Sequence, residues 1–239
     1  MANRSHPPRA ATLSRIRRSY FECRYGQLHV HHAIPAGGGF EEGTTLLALH
    51  AATSTGRMFG GLMAVMGADR SAFAPDLPGF GQSDAPETPL LIADRAAAIG
   101  DFLDSMRLRQ VDVLGCGLGA LVAADLALAR PGVRRVVVIP VPPIEIITAP
   151  GGPETPEGLG IPTSPAEATA GGRQYPLGAQ LARLTRPVLA LCPREMPPAL
   201  AKELGRLTPH ARGELPGGLS LFETTPGAIA EAIKDFLND

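Results

Sequence analysis

VDVLGCGLGALVA, residues 111–123, decides the fold. The apolar run Val111 to Leu114 has the composition of a buried strand, and it leads directly into Gly115-Cys116-Gly117-Leu118-Gly119. An alanine-rich segment of helical character follows at once. Strand, tight turn and helix therefore succeed one another within thirteen residues. Gly117, at the apex, has no side chain, and an apex this sharp favours a residue that tolerates positive φ.

The same alternation extends in both directions from this unit. Short apolar runs near 19–23, 27–33, 45–49, 71–75, 134–139, 187–192 and 212–215 read as strands like the one at 111–115. Between them, 57–66, 90–106, 118–129, 197–207 and 226–237 read as helices, with Pro226 suited to a first helical position. Such an order predicts an α/β architecture: a mostly parallel central sheet of about eight strands with helices on both faces. The first two strands, joined across Tyr25-Gly26, predict an antiparallel hairpin at its edge. Residues 1–18 read as a flexible arm and 19–239 as one domain. Residues 140–175 are crowded with Pro and Gly and read as a reduced, non-helical, lid-like insertion.

Composition removes several function classes. With 22 Lys+Arg against 23 Asp+Glu the formal net charge is −1, so charge gives no reason to expect nucleic acid or an acidic membrane as partner. Arg4, Arg9, Arg15, Arg17 and Arg18 crowd the N-terminal arm, where a solvated tail explains them. No run of apolar residues is long enough to span a membrane and no secretory signal is visible, so a cytoplasmic protein is expected. Cys23, Cys116 and Cys192 are too widely spaced for a zinc motif or a disulfide framework. Neither a metal nor a cofactor is expected, and the expected partner is a small molecule.

Four stretches in order resemble the α/β-hydrolase superfamily: LLALHAATST at 46–55, APDLPGFGQSD at 74–84, VDVLGCGLGA at 111–120, and TRPVLALCPRE with LPGGLSLFETTPGAIAEAIKDFL toward the end. The resemblance implies the α/β-hydrolase fold over residues 19–239. It also implies a nucleophile at the apex of the elbow, an acid after the strand at 187–192 and a histidine before the last helix. Here the apex is Gly117, the acid position falls near Met196 with Glu195 beside it, and the histidine position falls at Leu219 or Ser220. No histidine follows His210. The triad is thus expected to be degenerate.

What the resemblance leaves is a donor array. Backbone N–H groups near Cys116, Gly117 and Leu118, with others from Ala51 or Ala52, are expected to form an anion hole at a helix N-terminus. His50 either moves a proton there or fixes the loop through backbone hydrogen bonds. Glu195 and Glu145 stand at strand ends, Arg57 and Arg194 either anchor a carboxylate or are solvated, and Ser220 joins the candidate lining. Cys116 reads as a buried structural thiol, and Ser83 as a turn residue. His29 and His31 share a strand face as a metal pair would, but no third ligand is apparent, and they read as exposed edge-strand histidines.

Two functional readings follow. One is a non-hydrolytic enzyme, a lyase, isomerase or cyclase, acting on a carbonyl-bearing small molecule through anion stabilisation and pocket shape. The other is a non-catalytic pseudo-hydrolase that binds a ligand or a protein. An ester hydrolase would need a triad that this chain does not offer. Without a helical cap the site stays open unless the 140–175 segment or a second copy of the chain covers it.

Overall fold

The computed structural model describes residues 13–38, 43–52, 54–140, 176–193, 211–215 and 221–239. All eight expected strands are present: β1 (Ile16–Cys23), β2 (Gly26–Ala33), β3 (Gly43–Leu49), β4 (Arg70–Pro75), β5 (Val111–Cys116), β6 (Val133–Ile139), β7 (Val188–Pro193) and β8 (Ala211–Leu215). They form one sheet in the order β1-β2-β4-β3-β5-β6-β7-β8. The pairs β1·β2 and β2·β4 are antiparallel and all others parallel. β1 begins three residues earlier than expected, at Ile16, so Arg17 and Arg18 belong to the sheet rather than to the arm.

Helical segments are a 3-10 turn (Gly56–Phe59), α1 (Gly60–Met66), α2 (Ile92–Ser105), α3 (Leu118–Ala129), α4 (Leu177–Leu181), α5 (Leu221–Thr224) and α6 (Pro226–Asn238). The expected helix at 57–66 is therefore two pieces. α4 and α5 were not expected, because one helical turn carries too few residues for a 3.6-residue period to show. The expected helix at 197–207 and the lid-like insertion from 141 onward lie outside the described residues.

Strict alternation along the strands sorts the core into two layers. In β5, Val111 and Val113 join one cluster with Phe102 of α2 and Ala123 of α3, whereas Leu114 and Cys116 join the other with Leu62 and Met63 of α1 and Ile233 of α6. α3 is apolar on nearly every face, which suits a helix lying between the sheet and α2. β3 has β4 on one side and β5 on the other, and the chain leaves β3 toward α1 but leaves β5 toward α3, on the opposite face. Loops that diverge in this way open a crevice at the carboxyl ends of β3 and β5.

Candidate functional site at the β5 to α3 elbow

Gly117 adopts φ 53°, ψ −115°, a conformation that suits glycine, and it joins β5 to α3 with no intervening loop. Its neighbours are glycines for a different reason. A Cβ on Gly115 would lie 2.3 Å from the Gly119 carbonyl oxygen, and one on Gly119 would lie 2.0 Å from the Leu49 carbonyl oxygen. Only bare backbone lets the first turn of α3 sit this close to β3 and β5. The Gly119 N–H then donates to the His50 carbonyl at 3.0 Å, stitching the elbow to the loop after β3.

This stitching decides which donors are available. The Gly117 N–H donates to the Ile139 carbonyl at 3.0 Å, so the expectation that it serves the anion hole is corrected. Leu118, at the first helical position, has an N–H with no acceptor among the described residues. The same holds for the N–H groups of Ala51 and Ala52, and all three residues are buried. These are three donors on buried residues without acceptors among the described residues, and the one at the positive end of a 12-residue helix favours an oxyanion or carbonyl oxygen.

His50 is fully buried and donates from Nδ1 to its neighbour's carbonyl, Ala51 O, at 2.8 Å. Its Nε2 accepts the Leu77 N–H at 2.9 Å, and its ring meets Phe80 edge to face. Burial pushes its pKa down, so the ring is neutral. Both nitrogens are thereby committed, which corrects the proton-moving role: His50 clamps the β3 loop to the turn after β4, setting the position of Ala51 and Ala52.

The remaining sequence candidates divide three ways. Cys116 is fully buried in the α1 and α6 layer, away from the crevice, and desolvation raises its thiol pKa far above the usual range. It is therefore a core residue, and its place in the candidate lining is corrected. Arg57 is exposed on the 3-10 turn, and its charge acts on His31. Ser83 is a turn residue, with Oγ donating to Asp76 O at 2.7 Å and accepting the His29 N–H at 2.9 Å. Glu145, Arg194, Glu195 and Ser220 lie outside the described residues.

Two groups near the crevice escaped the sequence reading. Asp76, buried just past β4, gathers the Gly56 N–H at 2.7 Å on Oδ1, and the Gln82 N–H at 3.0 Å and His29 Nδ1 at 2.9 Å on Oδ2. His29 itself is buried under β1, not exposed at an edge. Arg95 lies on the core stripe of α2 with Ile92, Ala96 and Ile99, is only 3% exposed, and has no carboxylate partner among the described residues. Its Nε is unsatisfied and one terminal nitrogen donates to the Leu90 carbonyl. A cavity of about 840 Å³ runs elsewhere, between α2 and α3 toward Arg107 and Arg130, and does not include the elbow.

A model of the alpha/beta hydrolase family matches residues 46–236, four fifths of the sequence. The chain belongs to that family. The family's hydrolase fold recurs in solved structures at low identity. An N-acyl homoserine lactonase, as a serine-to-glycine mutant complexed with N-hexanoyl homoserine lactone, superposes with a TM-score of 0.73 at 18% identity, over 93% of this chain and 98% of that one. The enol-lactonase from Burkholderia xenovorans gives 0.73 at 17% over 92% and 100%, and a hydrolase from Pseudomonas aeruginosa gives 0.72 at 22% over 93% and 98%. An uncharacterized protein of Mycobacterium tuberculosis is 30% identical over 98 residues, 41% of this chain, and the match spans 29% of that protein's length. Within this family member the elbow is complete as backbone, its central residue is Gly117, and no described helix is long and apolar enough to cross a membrane.

Proposed function

We propose that this family member has a degenerate triad and binds a carbonyl-bearing small molecule, stabilising an oxyanion or enolate without a covalent intermediate, as a lyase, isomerase or cyclase does. The observation that carries this reading is the set of N–H groups on the buried residues Leu118, Ala51 and Ala52, without acceptors among the described residues, beside an apex with no nucleophile. Removing a side chain from the apex leaves room for a substrate oxygen to approach those donors. The charge of Arg95, which has no carboxylate partner among the described residues, reaches His50 and adds positive potential near the loop it clamps, which favours a substrate that carries or develops negative charge. The neutral, fully bonded His50 favours a second reading, a binding module that performs no proton transfer, since no described group at the elbow offers a general base. A single domain, 19–239, covered in part by the 140–175 segment or a second copy of the chain, belongs to both readings.

Lactones are the first probes, because two of the structural neighbours are lactonases and one is complexed with an acyl lactone. Native mass spectrometry and calorimetry against N-hexanoyl homoserine lactone, an enol-lactone and their ring-opened carboxylates read binding, and product analysis reads turnover. Saturable binding weakened by Leu118→Pro, which removes one donor at a position where helices accept proline, supports the anion hole. Turnover to a non-hydrolysed product separates the enzyme from the binding module. Binding that is indifferent to Leu118→Pro, with the melt unchanged, overturns the proposal.

A further inference from the structure

We propose that His29, His31 and Asp76 form a binding site for a borderline divalent cation, Zn²⁺ being the best match to two imidazoles and one carboxylate. The three residues lie 47 positions apart at the extremes, and the register of the sheet brings them together. His31 pairs with Ala74 and Val30 with Pro75 across β2 and β4, which sets His29 opposite Asp76 one step further along. His29 and His31, two apart on β2, point to the same face, with ring centroids 4.7 Å apart. One ligand atom from each of the three residues lies within 4.8 Å of the others.

The geometry close to His29 is near that of an ion site. Its Nδ1 is 2.9 Å from Asp76 Oδ2, a hydrogen-bond spacing, and tetrahedral ligands about 2.0 to 2.2 Å from one cation stand about 3.4 Å apart, so the pair parts by about half an ångström to admit it. Binding replaces that hydrogen bond: the cation takes the Nδ1 lone pair as the ring's one proton moves from Nδ1 to Nε2, so the imidazole stays neutral. Asp76 keeps the Gly56 and Gln82 N–H bonds, which hold the carboxylate in place as outer partners of a metal ligand do. His31 is half-buried, no described hydrogen bond holds its ring, and a ligand atom of it already lies within 4.8 Å of those of His29 and Asp76. Two guanidiniums, those of Arg18 and Arg57, act electrostatically on it.

Those guanidiniums also say what completes the shell. Arg18, opposite His31 on β1, and Arg57, on the 3-10 turn, both act electrostatically on His31, while Asp76 offsets only one unit of charge. A dication beside two arginines favours an anion, chloride or a carboxylate, in the open fourth position on the half-exposed side of His31. The ion would fasten the β1–β2 hairpin to the start of the 3-10 turn through Asp76 Oδ1 and Gly56, and this turn follows the loop carrying Ala51 and Ala52. The site is separate from the elbow and stands whether or not the donor array binds a substrate.

Titration of the chelator-stripped full chain with Zn²⁺ by calorimetry, and with Co²⁺ by visible absorption, tests this. The expected result is one ion per chain with a dissociation constant below about 100 µM at neutral pH and a four-coordinate Co²⁺ spectrum. His31→Ala is the decisive variant, since the ring meets His29 edge to face but has no hydrogen bond among the described residues, and it should weaken binding at least about tenfold while the stripped protein melts within about 4 °C of the parent. His32→Ala, on the opposite face of β2 against Phe73, should leave the affinity unchanged. No saturable binding up to about 1 mM, or binding that His31→Ala leaves intact, overturns the proposal.

Discussion

Gly119→Ala is expected to be the most damaging single-methyl change in the elbow. Its Cβ would lie 2.0 Å from Leu49 O, 2.4 Å from Leu49 C and 2.8 Å from His50 O, all backbone atoms of a central strand and its loop. No rotamer relieves such a contact. To restore ordinary spacing near 3.4 Å, the first turn of α3 has to retreat from β3 by more than an ångström, which also breaks the Gly119 N–H bond to His50 O. Overpacking costs about 1 to 3 kcal/mol and the lost hydrogen bond about 1 more, so about 3 kcal/mol is the expected total. For a chain of this size that lowers the melting temperature by about 10 °C. Thermal or urea unfolding reads it, and Gly227→Ala is the matched control. In α6 an added Cβ at residue 227 meets nothing within 4 Å, so that variant should be neutral or slightly stabilised. If Gly119→Ala melts within about 2 °C of the parent, α3 is not seated against β3 as described, and the account of the glycine spacing fails.

Three further outcomes are expected. Gly117→Ser should gain neither ester hydrolysis nor fluorophosphonate labelling, because no described base stands beside the apex and His50 has both nitrogens engaged; a labelled serine in that variant refutes this. Cys116 should resist iodoacetamide in the native protein and react on unfolding, since desolvation keeps its thiol protonated, and fast native alkylation would contradict its burial. Burial lowers the His50 pKa below the value near 6.5 that it has in the unfolded chain, so the unfolded state binds the extra proton and stability falls as pH drops below about 6.5. His50→Gln keeps a donor and an acceptor but does not titrate, and its urea midpoint should vary less over that interval in chelator-treated protein; an unchanged slope would assign the pH dependence elsewhere.

The strands were legible because each is a short apolar run closed by turn residues, and the sheet's two faces differ little in chemistry, so even approximate boundaries locate them. The elbow was legible because its signature is local, five consecutive residues. The contents of the site were not. Whether His50 moves a proton or holds a loop depends on Leu77, which reaches Nε2 from 27 residues away, and the sequence left both readings open. Asp76 was present in the quoted 74–84 stretch with Gln82, yet its partners His29 and Gly56 come from two other segments, and the antiparallel β2·β4 register brings His29 to it. A third ligand for the His29 and His31 pair was invisible for the same reason. Arg95 did carry a signal: it interrupts the i, i+3, i+4 apolar pattern of Ile92, Ala96 and Ile99, and a charge on a buried helical stripe is costly enough to call for an account.

Nucleophile and donor array are physically separable in this elbow. A residue with a side chain at φ 53°, ψ −115° would be strained, whereas Gly117 adopts that conformation at little cost, so the turn needs no support from a side chain at its apex. What holds the donors is elsewhere. Gly117 N–H is fixed by Ile139 O, Gly119 N–H by His50 O, and the His50 ring by Ala51 O and Leu77 N–H, a chain of bonds that runs from β6 through α3 to the turn after β4. Every member of it but the half-buried Gly117 is buried, and each bond uses backbone or a neutral imidazole. Leu118, Ala51 and Ala52 occupy the gaps in this chain, so their N–H groups keep their direction without a nucleophile. A change that cuts the chain should therefore disturb ligand binding more than one at the apex: His50→Ala, which frees the Leu77 N–H and releases the Ala51 carbonyl, should loosen the loop and weaken any oxyanion ligand, whereas Gly117→Ala should act mainly through about 1 to 2 kcal/mol of backbone strain. Ligand affinity set beside melting temperature for the two variants distinguishes these effects, and equal loss of both quantities in each would show that the donors depend on the apex after all.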